Sequence, residues 1–361
     1  MRWWFPATVF VIAVSAIIHS ANAQSLRKSS ALCVQKQLNA LGHDVGEADG
    51  ALGKGSSNGY ASLLKAREDL ALPKKLSNAT SATACRVIGY QEPDMRAHWP
   101  SADGLLSIAS DPKLPVGVSD YVLRATPFII KRLAAFDLQL ASKVKIHIYR
   151  DEAAGEALYS ASEGGKKKTA RKAFKALHKR HCKPDTVSSW LTFNRIYICI
   201  NVKEGAKING NDLQYVLSRE LFLTSVNELL GFPSNRFKRK TRENQLLKQR
   251  GPQWLWHGAA RYFEYRFVLE DKPEDVYFAE LAKYLADKKL SLSKYEKLPK
   301  KAAGAVHDLG SNAVHQLAKL RSEKSIGSFY RSVALGAPWK KAFSKAFGTA
   351  PADFYQQLGA S

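Results

Sequence analysis

The sequence predicts an α+β protein, mainly α: a small three-helix module, then a larger domain with a small sheet and a run of C-terminal helices. Three observations lead there. Between Ala31 and Cys85, two amphipathic stretches flank a glycine-rich loop. Two short segments, 143–149 and 195–201, alternate apolar and polar residues with the period of a strand. From Asp212 onward, apolar residues recur at helical spacing and turn residues punctuate them.

The first 23 residues have the layout of a secretory signal. Arg2 supplies the positive start, Trp3 to Ile18 an apolar run broken by Pro6, and Ala21-Asn22-Ala23 a small-residue cleavage site. The run is shorter than the roughly 20 apolar residues a bilayer span takes, which favours cleavage after Ala23 over an uncleaved anchor. No later segment is apolar enough to span a membrane. Taking 23 from 361 leaves 338 residues for a periplasmic or secreted product, enough for two or three domains with their own cores.

The elements follow in order. Val34, Leu38 and Leu41 fall at i, i+4 and i+7 and make one apolar helix face that Gly42 ends. Gly46, Gly50, Gly53 and Gly55 permit a tight loop, and Ser56 is placed to cap a second helix that turns Tyr60, Leu63 and Leu64 inward. Residues 93–117 are rich in Pro, Asp, Ser and Gly and read as a linker. Val118 to Leu140 is helical in pattern, with Leu123, Ile130 and Leu133 among its apolar positions. His147 falls on the polar face of the first strand and is expected to be exposed. His178 and His181 fall in a basic helical segment expected to face water. Asp212 is placed to cap a helix running to Gly231-Phe232-Pro233, and Gly251-Pro252 opens the next, Trp254 to Phe267. Helices over Val276–Leu285 and Ala313–Leu320 follow, and Ile326 to Tyr330 leads to Trp339, Phe343, Phe347 and Phe354.

The net charge of +23 becomes +22 once Arg2 is removed. Nine lysines and arginines lie between Lys166 and Lys183 with no acid, and seven between Arg236 and Arg250 against Glu243 alone. Such surfaces attract polyanions through long-range fields and counterion release. Outside the cytoplasm the partners this suggests are anionic envelope polymers, lipid head groups, capsule or extracellular DNA. A solvated face that aids solubility is the plainer alternative. The sequence has no phosphate-cradling Gly-rich loop and no Cys-x-x-Cys metal knuckle.

Two resemblances sharpen these expectations. Leu38-Asn39-Ala40-Leu41-Gly42-His43-Asp44, followed by Ala48-Asp49-Gly50-Ala51-Leu52-Gly53, is similar to the repeat of the peptidoglycan-binding domain family. His43 stands where that family has tyrosine, and Ser56 where it has threonine. The resemblance covers about fifty residues and implies a small three-helix targeting module over 31–85. Its loop residues would be Asp49, Gly50, Gly53 and Ser56.

Val216-Leu217-Ser218-Arg219-Glu220-Leu221-Phe222-Leu223, with Pro252-Gln253-Trp254-Leu255-Trp256-His257-Gly258-Ala259-Ala260-Arg261-Tyr262, resembles the signature blocks of gluzincin metallopeptidases, the peptidase-MA-like branch of the zincins. Active members carry His-Glu-x-x-His on one helix and Trp-Leu-x-Glu-Gly-x-Ala-x-Tyr on a later one. Two histidines four apart share a helix face, and the later glutamate closes a three-ligand zinc site. The metal polarises the scissile carbonyl, and the glutamate of the first block takes a proton from the bound water. Here the three ligand positions read Arg219, Leu223 and His257. A guanidinium offers no lone pair and leucine has no donor atom. Only Glu220, the base of the pattern, is in place.

The resemblance therefore implies a thermolysin-like domain over 118–358, after a linker at 86–117, that has lost its metal and catalysis and needs no cofactor. Four cysteines in an exported chain suggest two disulfides. Of three possible pairings, Cys33–Cys85 with Cys182–Cys199 keeps each within one unit. In the chain-entropy description those loops stabilise by about 4 and about 3 kcal/mol. The expected function is a wall-associated binding protein whose partner is peptidoglycan or another anionic envelope polymer, with the vacated cleft open to a peptide or protein partner. Two alternatives stand beside it: a divergent peptidoglycan or peptide hydrolase built on Glu220 and His257, and a periplasmic polyanion-binding protein.

Overall fold

The computed structural model describes residues 30–68, 72–77, 80–92, 106–140, 143–163, 167–192, 195–203, 208, 210–231, 239–268, 274–286, 291–297 and 303–360. The segment read from sequence as a secretory signal, and residues 236–238 of the basic stretch, lie outside them. The protein is α+β and mainly helical, and the chain divides into two compact units, residues 1–101 with 161–164 and residues 102–160 with 165–361.

Among the described residues the first unit holds three helices: α1 (30–40), α2 (Lys54–Ala66) and α3 (Ser81–Gln91). Val34 and Leu38 of α1, Tyr60 and Leu63 of α2, and Ala84 and Ile88 of α3 are buried together as its core. The Cys33–Cys85 disulfide links α1 to α3, and beside it Gln37 Nε2 donates to Cys85 O at 2.9 Å. Gly42 ends α1 at φ 82°, a left-handed conformation that costs glycine little, and His43 N then reaches back to Leu38 O at 2.9 Å. The second helix starts earlier than its sequence suggests. Its cap is Gly53, without a side-chain bond, so Ser56 sits inside the first turn rather than at its head.

The second unit is built on a four-stranded sheet of order β1-β2-β4-β3, comprising β1 (Leu106–Ser110), β2 (Val144–Tyr149), β3 (Thr186–Thr192) and β4 (Arg195–Asn201). β1 pairs with β2, and β2 with β4, in parallel. β3 closes the other edge antiparallel to β4, with Ser189 opposite Ile198. β1 lies within the stretch read from sequence as linker. Its Leu-Ser-Ile-Ala-Ser run is partly buried rather than solvated because it hydrogen-bonds along β2.

Both faces of β2 and β4 are covered, which overrides the polar-out reading of their alternation. On one face, α5 (Glu152–Glu163) and α6 (Lys167–His181) bring Tyr159 and Phe174 onto Tyr149, Tyr197 and Trp190. The Cys182–Cys199 disulfide closes that cluster. His147 is therefore buried and stacked on Tyr197 at 4.8 Å between ring centres. His178 and His181 also turn inward. His178 Nδ1 lies 3.2 Å from Tyr149 Oη, and His181 stacks 5.8 Å from Trp190. The expectation of exposed histidines fails because the sheet face is roofed, so lysines take the water side of α6.

On the other face lie α4 (Val116–Leu133) and α7 (Gly210–Leu229). α4 turns Val122, Ile129 and Leu133 inward and leaves Leu123 exposed, against its assignment to the apolar face. α7 begins at Gly210, ahead of Asp212, and is buried on nearly every side from Leu213 to Leu229. α8 (Arg239–Arg250) and α9 (Gln253–Val268) follow. The remaining helices are α10 (Glu274–Ala286), α11 (Ala303–Leu320), α12 (Lys324–Ala334), α13 (Trp339–Phe347) and α14 (Pro351–Ala360). α9 packs between α7 and α11. At its closest approach, Gly258 lies against Gly310 of α11, and a Cβ on Gly258 would come within 2.2 Å of the Gly310 carbonyl carbon. That crossing sets the first half of α11 against the middle of α9, which itself packs on α7.

Candidate functional site

In the first unit, the loop residues singled out by sequence are held by one side chain that sequence did not single out. Gln35, buried in α1, donates from Nε2 to Asp49 Oδ1 at 3.1 Å, Ala51 O at 2.9 Å and Ser56 Oγ at 3.0 Å. Its Oε1 accepts from Gly50 N at 2.7 Å. Asp49 Oδ1 also accepts from Ala51 N at 2.8 Å, and Gly53 caps α2. The structure thus brings Asp49, Gly50 and Ser56 together around one amide. The bonds they make there fix the loop.

In the second unit, a polar cluster is buried where β3, α7, α9 and α11 converge. Glu220 of α7 is 2% exposed and accepts from Ser189 Oγ of β3 at 2.8 Å. Glu264 of α9 is fully buried, with Arg261 Nη1 3.3 Å from its Oε2. Arg261 also lies 3.7 Å from Asp308 of α11, and its guanidinium faces the Tyr215 and Tyr265 rings at 4.6 and 4.8 Å. His257 of α9 packs on His307 of α11 with ring centres 4.5 Å apart. Trp256, next to His257, carries the Arg250 guanidinium 3.9 Å above its ring.

Burial sets the protonation of this cluster, and Arg219 is the charge its members share. Burial pushes Glu264 up to about 8, against the pull of Arg219 and Arg261 and with a push from Glu220 and Asp308. Glu220 is raised for the same reason, opposed by Arg219 and the Ser189 bond. His307 is lowered to about 3 by burial, then by Arg219 and Arg261. His257 lies well below its ordinary range through burial, His307, Arg219 and Arg250. At neutral pH the two imidazoles are uncharged, Glu264 is largely protonated, and the guanidiniums are the fixed charges.

The donor set does not fit a catalytic zinc. Arg219 brings a permanent cation and Leu223 a hydrocarbon, buried at 3% exposure, to two of the expected ligand positions. Glu220 is engaged by Ser189, and His257 meets His307 ring to ring. Among the described residues, the one trio of potential ligand atoms gathered within 4.8 Å is His178, Cys182 and Cys199, whose sulfurs form the disulfide. No step of water activation by metal follows from these residues.

The sequence singles out Arg219, Glu220, Leu223 and His257 but assigns no role to Ser189, Arg261, Glu264, His307 or Asp308. Part of that was within reach, because 257, 261 and 264 are spaced i, i+4 and i+7 on one helix face. Ser189 and His307 come from distant elements and needed the tertiary fold. Trp254 and Tyr262, residues of the same signature block, are core. Trp254 packs against Phe343 and Phe354, and Tyr262 donates to Glu274 at 2.8 Å. Among the described residues no helix is long and apolar enough to cross a membrane. Comparison with protein-family models, with curated proteins and with solved structures gives no match for this chain.

Proposed function

We propose that the protein is an exported, cell-wall-associated binding protein whose larger unit is a metallopeptidase-like domain without catalysis. The observation that carries this reading is Arg219. At a position where the gluzincin resemblance calls for a zinc ligand, the chain places a guanidinium whose charge acts on Glu220, Glu264, His257 and His307 together. A fixed cation among buried carboxyls and neutral imidazoles takes over the local charge that a dication supplies in active members, and it cannot polarise a carbonyl or ionise water. Two disulfides fit an oxidising compartment. Peptidoglycan, or another anionic polymer of the envelope, is the partner that the first unit and the basic surface of the second point to.

Cosedimentation with purified sacculi tests the wall reading. The full chain is expected in the pellet at low salt, with retention falling as salt rises and falling further when residues 30–92 are deleted. Equal retention of the deleted form removes the assigned role of the first unit. A hydrolase built on Glu220 and His257 is the second reading, favoured by one feature: Glu264, a carboxyl that burial pushes up to about 8, with a further push from Glu220. Peptidoglycan or peptide cleavage lost in Glu220→Gln would establish it.

A further inference from the structure

A second site lies apart from the buried cluster, along the outer side of α4. An open groove of about 730 Å³ runs there, walled by Tyr121, Phe128 and Phe267 and rimmed by Arg124, Lys131 and Arg132. Its volume is within the range of small-molecule sites, roughly 300–1,000 Å³. The walls are fixed. Tyr121 Oη donates to Gln214 of α7 at 2.8 Å, and the Phe267 ring packs 5.1 Å from buried Phe263. Phe128 is 72% exposed, the most exposed large apolar side chain among the described residues, and Leu123 nearby is 53% exposed.

The charges of the lining all have one sign. Arg132 has a carboxylate within reach, Glu323 at 4.0 Å. Arg124 and Lys131 project as surface cations on the same helix, and among the described residues no acid lines the groove. Carbon walls beneath a cationic rim complement a molecule with an apolar body and an anionic head.

We infer that this groove binds a single-chain amphiphilic anion, an alkyl carboxylate or alkyl phosphate. Its head group would sit on Arg124, Lys131 and Arg132, and its chain against Phe128, Tyr121 and Phe267. A peptide is the poorer fit. The described lining residues lie on α4, the turn after it, α7 and α9, so the groove offers no strand edge along which a peptide's main chain could pair. The inference does not depend on the wall-binding proposal, since every residue involved belongs to the second unit.

Isothermal titration of the full-length protein with decanoate, below its aggregation concentration, tests the site. Decanol and inorganic phosphate serve as tail-only and head-only probes, and an acidic peptide is the competing ligand. Saturable decanoate binding is expected, with decanol and phosphate each much weaker. Charge reversal at two exposed positions, Arg124→Glu with Lys131→Glu, should weaken decanoate binding by about tenfold or more. Phe128→Ser should weaken it while leaving the melting temperature unchanged, because that ring is already in water. Decanoate binding unaffected by both variants, equal binding of decanol, tighter binding of the acidic peptide, or no saturable binding would each overturn the assignment. Alkyl phosphate binding in place of decanoate, lost in the same variants, supports it and identifies the head group.

Discussion

Arg219 connects the residues of the buried cluster through charge, so its removal has a signed consequence at each of them. A guanidinium holds neighbouring carboxyls and imidazoles down, and Arg219→Met takes that pull away. Glu264, His257 and His307 should all titrate higher in the variant, His307 moving from about 3 toward its ordinary 6.5. Ring and carboxyl NMR titration reads this directly, and unchanged values would show that Arg219 does not act on the cluster. At this scale the sequence was informative about identity and uninformative about company. That Arg219 and Leu223 are not ligands follows from their side-chain chemistry alone. That His307 lies on His257, fifty residues away in the chain, follows only from the crossing of α9 and α11. His147 was misplaced for a related reason: period-two alternation marks a face, and a roof of two helices decides whether that face meets water.

Among the elements, the α9–α11 crossing and the Gln35 loop make the sharpest demands. A methyl at Gly258 meets the Gly310 backbone, which cannot move aside as a flexible side chain would, so Gly258→Ala should destabilise by about 3 kcal/mol or more. Gly117→Ala is the control. Gly117 is helical and its Cβ position is open, so the change should stabilise by about 0.5 kcal/mol. Gln35→Ala leaves Gly50 N, the Asp49 carboxylate and Ser56 without their shared partner and should cost about 2 kcal/mol. Chemical denaturation measures all three, and a tolerated Gly258→Ala would contradict the packing described. The legible elements were those with one wet face: α1 and α2, and the amphipathic helices near the C-terminus. β2 and β4 were legible by alternation. β1 and β3 were not, since Leu-Ser-Ile-Ala-Ser and Thr-Val-Ser-Ser-Trp-Leu-Thr show little apolar contrast and gain strand structure from their neighbours. The extent of α7 was blurred because a helix buried on nearly every side has no stripe to mark its ends.

Across the whole molecule, the buried titratable groups set how stability varies with pH. His178, His181, His257, His307 and His315 all have lowered folded values, so the unfolded chain takes up protons first as pH falls below about 6.5 and stability drops on the acid side. Glu264 is the reverse case. Its folded value is raised, so the stability present below 4.5 is lost progressively as pH rises through about 8. Between 4.5 and 6.5 the histidines outnumber Glu220 and Glu264, and the melting temperature should peak near pH 6.5 and decline toward 8. Glu264→Gln should flatten that decline. A slope unchanged by the substitution would mean that Glu264 is ionised in the folded protein. The account as a whole depends on whether the convergence of α7, α9 and α11 holds a cation of the protein's own in place of a metal. Metal analysis of protein purified without added zinc, run beside peptide and peptidoglycan cleavage assays, tests this most directly. The account predicts substoichiometric zinc and no turnover by either the wild type or Glu220→Gln. Stoichiometric zinc with hydrolysis abolished by Glu220→Gln would contradict it.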